Sequence, residues 1–157
     1  MNNIFTFDTP IGCLTIGDNG RAIVQVSFDL TSKNTNLKGQ PCKIVQTPLI
    51  NQAFDQLTEY FEKKRQKFDL PLCLNGTPFQ TAVWQALMQI PFGKPCSYAD
   101  LAKAVGNEKA FRAVGMANHR NPIAIIIPCH RVLNSGGGLG GYAGGLSIKQ
   151  FLLDLEK

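Results

Sequence analysis

The sequence predicts two parts: an α/β N-terminal lobe, made of a small antiparallel sheet plus a helix, and a mainly helical C-terminal lobe containing a helix-turn-helix. Short alternating apolar runs separated by turn residues fill the first part, which is typical of strands joined by hairpins. Apolar residues at helical spacing behind capping residues dominate the second part. A chain of 157 residues is long enough for two small lobes with a real core. We expect the first lobe to span residues 1–72 and the second residues 73–157.

The N-terminal lobe begins with three predicted strands, over residues 4–7, 13–17 and 22–28. The segments between them carry turn residues, Thr9-Pro10-Ile11-Gly12 and Asp18-Asn19-Gly20. Asn-Gly is a strong hairpin signal, so we expect neighbouring strands of the sheet to run antiparallel.

A polar loop over residues 32–40 and a helix over residues 48–64 complete this lobe. The helix is predicted because its apolar residues fall on one face: Ile50, Ala53, Phe54, Leu57, Tyr60 and Phe61. Lys63-Lys64-Arg65 ends the helix, where cations suit the helix dipole, and we interpret this basic run as a solvated face. The lobe carries no pattern typical of chemistry, so we expect it to act as structural support.

The C-terminal lobe opens with a capping box, in which Thr77 precedes Pro78 and Gln80 occupies the third helical position. An apolar stripe follows in this first helix: Phe79, Val83, Trp84 and Leu87. Ser97 caps a second helix over residues 98–105, which Gly106 ends.

A third helix is predicted from Asn107 to about residue 118. With the second helix and the tight turn between them it forms a helix-turn-helix, in which it would be the recognition helix. We expect Phe111 and Val114 to face the core. Basic or polar residues are expected on the exposed face, namely Lys109, Arg112, Asn118 and His119. An ordinary helical hairpin that touches no ligand is the alternative, which would be preferred without the chemistry that follows.

Cys129 and His130 stand side by side after Pro128, at the end of the apolar run 123–127, which we interpret as a buried strand. A thiol becomes a good nucleophile only as the thiolate, which requires a nearby base or positive charge. Asp154 or Glu156 would orient the histidine and complete a Cys-His-acid arrangement. For an isolated pair, a buried cysteine beside a surface histidine is the commoner case.

The surrounding residues decide between these interpretations. Ile127-Pro128-Cys129-His130-Arg131-Val132 resembles the active-site signature of the O6-alkylguanine-DNA alkyltransferases, or methylated-DNA–protein-cysteine methyltransferases. Further segments resemble motifs of this family in the family's order: Gly76-Thr77-Pro78-Phe79-Gln80, Val83-Trp84, Ile90-Pro91-Phe92-Gly93, Ser97-Tyr98, Arg112-Ala113-Val114-Gly115, Asn121-Pro122 and Gly141-Tyr142-Ala143-Gly144-Gly145-Leu146. The likeness is close over residues 76–156 and loose over the first seventy.

The resemblance implies DNA repair by direct, irreversible and stoichiometric transfer of an alkyl group to Cys129, after the damaged base has flipped out of the duplex. The alkyl group would come from O6-alkylguanine and from O4-alkylthymine. Implied catalytic residues are Cys129, His130, Glu156, Tyr98 and Asn121. Implied DNA-binding residues are Arg112, Lys109, Ala113, Gly115, Arg120 and Tyr98. The implied substrate pocket consists of Tyr98, Val132, Tyr142, Ala143 and Gly144.

The resemblance also implies individual roles. Arg112 matches an arginine that enters the base stack where the target nucleotide has left, although a phosphate contact or surface ion pair is the alternative. Tyr98 matches the tyrosine whose hydroxyl meets the flipped base at N3. Asn121 matches a residue that orders the helix and active-site loop, and it also suits a simple turn before proline. Ala143 and Ala124 depart from relatives that carry serine and proline there, which bears on the tolerated alkyl groups.

Composition agrees with a nucleic-acid partner, since a net charge of +5 and a pI near 9.0 suit a polyanion. The expected partners are double-stranded and single-stranded DNA carrying O6-alkylguanine, with no membrane, and the protein is expected to be a monomer. The five cysteines lack Cys-x-x-Cys spacing and no secretory signal is visible, which predicts reduced thiols in the cytoplasm. Only two histidines are present, neither in the N-terminal lobe, so we expect no metal and no cofactor.

Two other classes of function remain open. A non-catalytic damage-binding module of the same fold would replace the reactive cysteine, so Cys129 argues against it. A cysteine hydrolase or thiol transferase would use the same pair on a small molecule, and the helix-turn-helix, Arg112 and the basic charge count against it. Stoichiometric label on the protein after incubation with radiolabelled methylated DNA is expected of the alkyltransferase alone.

Overall fold

The computed structural model describes residues 2–28, 36–37 and 40–157. The chain divides into two compact units, Met1–Leu74 and Asn75–Lys157. The boundary expected from the sequence fell after residue 72, two residues before this division. No helix in the described part of the chain combines the length and apolar character needed to cross a membrane.

The N-terminal unit is built on a sheet with the strand order β3-β2-β1-β5-β4. These strands are β1 (Asn2–Thr9), β2 (Gly12–Asp18), β3 (Ile23–Phe28), β4 (Asn36–Leu37) and β5 (Gln40–Ile44). The three strands predicted from alternation are confirmed, and both neighbouring pairs are antiparallel. Gly12 and Gly20 take positive φ angles of 99° and 89° in the turns between them, which side chains rarely tolerate.

The predicted loop over residues 32–40 is wrong where the structure describes it, because residues 36–37 and 40 belong to strands. The rest of that prediction lies outside the described residues. β5 exists because its backbone pairs in parallel with β1, from Asn2 opposite Cys42 to Ile4 opposite Ile44. Such a long-range pairing leaves no local signal in a polar segment.

Helix α1 (Pro48–Phe61) packs on this sheet. Thr47 caps it by accepting a hydrogen bond from the Ile50 amide at 3.1 Å. Its buried face includes four of the apolar residues predicted there: Ile50, Ala53, Leu57 and Tyr60.

The predicted end of this helix at residue 64 is wrong, because Glu62 is its C-cap and Lys63 has a φ of 62°. The basic run therefore follows the helix and no cation lies in its last turn. Lys64 pairs with Glu62 at 3.0 Å and Arg65 with Glu59 at 3.4 Å, so local carboxylates rather than the helix dipole accompany these charges.

The C-terminal unit consists of four α-helices joined by loops. They are α2 (Pro78–Leu87), α3 (Tyr98–Ala104), α4 (Phe111–His119) and α5 (Leu146–Leu155). Thr77 and Gln80 form the predicted capping box on α2. Ser97 caps α3 as predicted, and Asp100 completes a second capping box with it. Two short strands, β6 (Cys96–Ser97) and β7 (Val132–Leu133), pair in parallel beside α3.

Helix α4 begins at Phe111, four residues later than predicted. The Ala110 amide donates to the Asn107 carbonyl at 3.1 Å, which closes a turn before the helix. Asparagine favours such turns through its short polar side chain, and here that tendency outweighs its use as a helix cap. The connection after α3 therefore spans residues 105–110.

The core of the C-terminal unit lies where α2 and α3 pack against α4. The Trp84 indole donates to the Ala117 carbonyl at 2.8 Å and joins α2 to α4. Val114, Ala117 and Asn118 form the buried stripe of α4.

Two predicted burial states are wrong. Phe111 was expected in the core but is 53% exposed, and Asn118 was expected at the surface but is only 4% exposed. Phe79, in the predicted apolar stripe of α2, is 36% exposed. Phe111 stands at the edge of the buried stripe of α4, where no neighbour covers its ring fully. Asn118 falls within the stripe, where its amide nitrogen donates to the Cys129 carbonyl at 3.4 Å.

Candidate active site

The segment that leads to Cys129 is buried but is not the predicted strand. Ile123, Ile125 and Ile127 are almost fully buried, yet the backbone bends twice instead of extending. The Ile126 amide donates to the Ala124 carbonyl at 2.8 Å around Ile125, whose φ of 70° is unusual for a β-branched residue. The Cys129 amide then donates to the Ile127 carbonyl at 2.8 Å, across Pro128.

Asn121 holds this segment in place. Its amide nitrogen donates to the Ile127 carbonyl at 2.7 Å, and its amide oxygen accepts from the Ile123 backbone at 3.0 Å. Asn121 thus gives a buried loop the hydrogen bonds that a neighbouring strand would otherwise supply. Both sequence interpretations of this residue, the turn before Pro122 and the ordering of the active-site loop, agree with these contacts.

Cys129 begins a single turn of 3-10 helix, Cys129–Arg131. Successive side chains of such a turn point in three directions, about 120° apart. Cys129 and His130 are both buried, and His130 is not exposed at all. The alternative of a surface histidine beside the cysteine is therefore excluded.

A carboxylate lies on His130, and it is Glu156 rather than Asp154. His130 Nε2 lies 2.6 Å from Glu156 Oε2. Asp154 instead contacts Gln150 and Lys157 at the surface. Since Nε2 faces a carboxylate, that nitrogen carries the proton in neutral imidazole, and Nδ1 is left with a free lone pair. Nδ1 is buried and has no hydrogen-bond partner among the described residues.

Arg131 binds the carboxylate of Glu156 as well. Its Nε and Nη2 donate to Glu156 Oε1 and Oε2 at 2.8 and 3.0 Å, a bidentate pair, and its Nη1 donates to the Ile90 carbonyl at 2.7 Å. The Gly93 amide adds a bond to Glu156 Oε1 at 3.2 Å. Glu156 is therefore a held and charge-compensated group at the C-cap of α5.

The electrostatics leave His130 neutral and Cys129 protonated at rest. Burial lowers the pKa of His130, and Glu156 raises it only in part because the Arg131 and Lys149 cations oppose this. Burial raises the pKa of the Cys129 thiol, while hydrogen bonding by Asn121, the Lys149 charge and hydrogen bonding by Tyr142 offset a part of the increase. The site thus joins a neutral base to a thiol that needs one.

Tyr98, the first residue of α3, is half-buried on the other side of the thiol. Burial raises the pKa of its phenol, and the nearby Asn118 amide lowers it in part, so the hydroxyl keeps its proton. Asn118 also donates to the Cys129 carbonyl at 3.4 Å. A side chain at Gly140 would lie 3.1 Å from the Tyr98 hydroxyl, so glycine permits this close approach.

The loop before α5 is anchored by a buried lysine. Lys149 donates to the carbonyls of Val132 at 2.7 Å and Gly141 at 3.3 Å, and to that of Leu139. Burial lowers the pKa of Lys149, although the nearby Cys129 raises it in part. The lysine thus ties β7 to the loop of residues 139–141.

A hollow of about 400 Å³ opens beside Tyr98, and its wall is formed by Tyr98, Ala99, Phe111, Gly115, Asn134 and Ser135. Tyr98 alone among the predicted pocket residues lines it. Tyr142 instead reaches the Cys129 thiol, and Val132 is buried in β7. Ala143 is exposed and Gly144 partly exposed in the loop before α5.

Helix α4 presents the predicted DNA-binding residues to solvent. Arg112 and Ala113 are exposed and Gly115 is partly exposed. Lys109 is exposed in the turn before the helix, and Arg120 is exposed at its C-cap. Arg112 and Ala113 line the same surface of α4, and an exposed cation lies next to each end of the helix, an arrangement that suits the backbone and groove of a nucleic acid.

Three residues of the site were not found by sequence reasoning: Arg131, Asn118 and Lys149. Arg131 had a signal, since a cation directly after a Cys-His pair in an apolar setting needs a buried counter-charge. Asn118 and Lys149 carried none, because polar residues in short helices are ordinarily exposed. Among the described residues, no group of three or more His, Cys, Asp or Glu side chains lies close enough together to hold a metal ion.

A buried thiol beside a histidine–carboxylate pair, next to a helix with an exposed cationic face, defines a cysteine-dependent group-transfer protein with a nucleic-acid interface. Residues 78–157 match the DNA-binding domain of 6-O-methylguanine DNA methyltransferase, and residues 5–74 match the ribonuclease-like domain of the same proteins. The chain belongs to the 6-O-methylguanine DNA methyltransferase family.

Individual relatives agree over nearly the whole chain. A methylated-DNA–protein-cysteine methyltransferase of Methanosarcina barkeri is 44% identical over 150 residues, covering 96% of this chain and 94% of that protein. The constitutive enzyme of Bacillus subtilis is 45% identical over 166 residues, covering 100% of this chain and 96% of that protein.

Solved structures agree as well. The crystal structure of Mycobacterium tuberculosis O6-methylguanine methyltransferase superposes with a TM-score of 0.89 at 41% identity, covering 100% of this chain and 93% of that one. That of M. tuberculosis OGT in complex with DNA gives a TM-score of 0.88 at 41% identity, covering 99% and 92%. The predicted fold class and function are confirmed: the chain is a methylated-DNA–protein-cysteine methyltransferase, which repairs O6-alkylguanine in DNA.

Proposed function

We propose that Cys129 is the alkyl acceptor and that each molecule reacts once. The observation that carries this proposal is the 2.6 Å contact of His130 with Glu156 beside a buried thiol. A base held by a carboxylate next to a nucleophile is the arrangement that activates cysteine for attack. The product is a thioether. Its C–S bond is stable, and none of the surrounding side chains that the structure describes has the chemistry to break it.

The proton leaves Cys129 for His130 through a bound water. Support comes from His130 Nδ1, a buried acceptor that lacks a hydrogen-bond partner among the described residues and so calls for water. The thiolate sulfur then attacks the alkyl carbon in line, and the bond from that carbon to guanine O6 breaks. The electron pair stays on the guanine, which takes a proton from the Tyr98 hydroxyl. Glu156 stabilises the imidazolium that forms.

The target base reaches the thiol by leaving the duplex, because a buried sulfur has no access to O6 within stacked base pairs. Tyr98, which lines the hollow, meets the base there. Arg112, exposed on α4, enters the stack that the nucleotide has vacated. Lys109 and Arg120 contact phosphates, while Ala113 and Gly115 let the helix approach the groove. Tyr142, Ala143, Gly144 and Val132 complete the surroundings of the base after the loop adjusts to it.

The lobe of residues 73–157 then carries DNA binding and the acceptor, and residues 1–72 provide structural support. The proposed substrates are double-stranded and single-stranded DNA with O6-alkylguanine, and also O4-alkylthymine. A net charge of +5 supports a polyanionic substrate. We infer that the protein works as a monomer in the cytoplasm, where reducing conditions keep Cys129 a thiol.

Alkyl transfer from DNA that is radiolabelled in the O6-methyl group tests the acceptor. Wild-type protein should retain one label per molecule, and mass spectrometry should place one methyl group on Cys129. Cys129→Ser should retain none while still binding DNA, whereas the half-buried Cys96→Ser control should match wild type. Label on Cys96 or Cys13 would defeat the assignment. Labelled product released into solution would indicate a hydrolase, and binding without any transfer would indicate a damage-binding module.

A further inference from the structure

Phe111 is a large apolar side chain that the fold leaves at the surface of the site. It is the first residue of α4 and is 53% exposed. Its ring forms part of the wall of the hollow beside Tyr98 and Gly115. Exposed apolar surface next to a substrate hollow is typical of a contact made only when the ligand is bound.

The geometry of α4 separates Phe111 from Arg112. Successive residues of an α-helix lie about 100° apart around its axis, and residues four apart share a face. Phe111 and Gly115 therefore occupy the edge toward Tyr98. Arg112 and Met116 occupy the adjoining surface together with Phe79. Phe111 and Arg112 therefore face different parts of a bound nucleic acid, although they are neighbours in sequence.

We propose that Phe111 holds the extruded nucleotide at the mouth of the hollow, by packing its ring against the deoxyribose of the damaged residue. The inference rests on the proposed function, since it requires a nucleotide that has left the stack. Phe111 is more exposed than Tyr98, so it meets the part of the nucleotide nearer the strand while the base passes deeper. Gly115 lies beside Tyr98, since a side chain built there would make an ordinary contact with the Tyr98 ring at 3.9 Å, and both residues line the hollow with Phe111.

Phe111→Ala tests this on three substrates: duplex DNA with O6-methylguanine, the same strand alone, and free O6-benzylguanine. The second-order rate constant should fall about tenfold on both DNA substrates, from the loss of partly buried apolar contact. On the free base it should change less than about twofold, because that substrate has no sugar. Phe111→Leu should recover most of the loss. Phe151→Ala, which removes a 39% exposed phenylalanine on α5, should match wild type.

Three results would overturn the inference. A loss confined to duplex DNA would make Phe111 a filler of the vacated stack, and an equal loss on the free base would make it a wall for the base itself. Rates like those of Phe151→Ala on every substrate would leave it without a role. These three results can be interpreted only if the wild-type protein transfers the alkyl group to Cys129. If wild-type protein transfers no alkyl group from any of the three substrates, the proposed function has failed instead. Unchanged thermal unfolding of Phe111→Ala confirms that a rate loss is not a folding defect.

Discussion

Cys129 is a protonated thiol until a base acts on it. Burial raises its pKa, and the hydrogen bonding of Asn121 and the charge of Lys149 compensate only in part. His130 is suited to act as that base because burial lowers its pKa and keeps the imidazole neutral. These opposite shifts arise from one cause, since burial disfavours the charged form of each group. Reactivity at this residue therefore depends on its neighbours rather than on exposure.

His130→Ala tests that dependence. We expect transfer at pH 7 to slow about 100-fold, within the range of general-base contributions, and to recover about tenfold per pH unit as hydroxide ionises the thiol. In wild type the rate should stay level around neutrality and fall only below the ordinary histidine range, because the lowered pKa keeps His130 neutral down to that point. Single-turnover rates measured between about pH 5.5 and 9, a range in which most proteins stay folded, test both expectations. A His130→Ala rate equal to wild type at pH 7 would show that the backbone surroundings activate Cys129.

Glu156→Gln and Asp154→Asn form a matched pair for the carboxylate. Glu156→Gln should slow transfer at pH 7 about tenfold, a weaker loss than His130→Ala, with the same recovery at high pH. It should also lower the free energy of unfolding, because Arg131 loses its buried counter-charge. Asp154→Asn should match wild type in both, since the Asp154 carboxylate contacts Gln150 and Lys157 at the surface rather than His130. Loss of transfer in Asp154→Asn with a silent Glu156→Gln would mean that the carboxylate is misassigned.

At the scale of elements, the site is assembled from the ends of helices and the loops between them. The 3-10 turn supplies Cys129 and His130, the C-cap of α5 supplies Glu156, and the loop after α2 supplies the amide of Gly93. Loop residues adopt the angles needed to aim these groups only when the surrounding structure holds them. The buried segment before Pro128 shows this, since Ile125 keeps a φ of 70° among apolar neighbours and Asn121 satisfies the backbone.

Gly93→Ala tests how tightly that assembly is held. Gly93 has a φ of 75°, and a side chain there would lie 2.7 Å from the Glu156 backbone oxygen. We expect the free energy of unfolding to fall by about 2 kcal/mol and transfer to slow as the end of α5 shifts. Chemical denaturation and single-turnover rates measure the two effects. Gly136→Ala is the control, because a side chain there meets nothing within 4 Å, and it should be as stable as wild type. Equal stability of both variants would show that the end of α5 yields easily.

At the scale of the whole molecule, the positive net charge and the exposed surface around α4 favour binding to DNA. The net charge of +5 provides attraction that does not depend on sequence, and Arg112 on α4, with Lys109 before it and Arg120 after it, adds exposed positive charge around this helix. Family membership agrees, since residues 78–157 match a DNA-binding domain. In the proposed mechanism, specificity for the lesion comes from the hollow and the thiol, because contacts to the DNA backbone carry no information about the base.

Salt dependence and Arg112→Ala test this division. The logarithm of the DNA affinity should fall with the logarithm of salt concentration, with a slope of about −0.9 per phosphate contact on duplex.

Arg112→Ala should slow repair of duplex about tenfold or more while reaction with free O6-alkylguanine is retained, because only the duplex needs its nucleotide held out. Arg21→Ala removes the same charge from an exposed site in the N-terminal unit and controls for net charge. Salt-independent binding would contradict the first expectation, and equal losses on both substrates would remove Arg112 from flipping.

The sequence by itself determined the features that depend on near neighbours. Local interactions within a few residues account for the capping box at Thr77, the helix cap at Ser97, the hairpin turns at Gly12 and Gly20 and the Cys129-His130 step. The family motifs gave the function as well, since they lie in the close part of the resemblance. Only the tertiary structure decided what depends on distant partners. It chose Glu156 over Asp154, which are 26 and 24 residues from His130, and it brought in Arg131 as the counter-charge.

Burial was decided in the same way. Asn118 turned inward and Phe111 outward because the packing of α2 and α3 on α4, not the composition of α4, sets which edge of that helix is covered. The segment before Cys129 became a buried turn rather than a strand because Asn121 satisfies its backbone. Helical and strand periods state only which residues share a face. Folding decides which partner covers that face, and the partner in turn sets the direction in which the pKa of each buried group shifts.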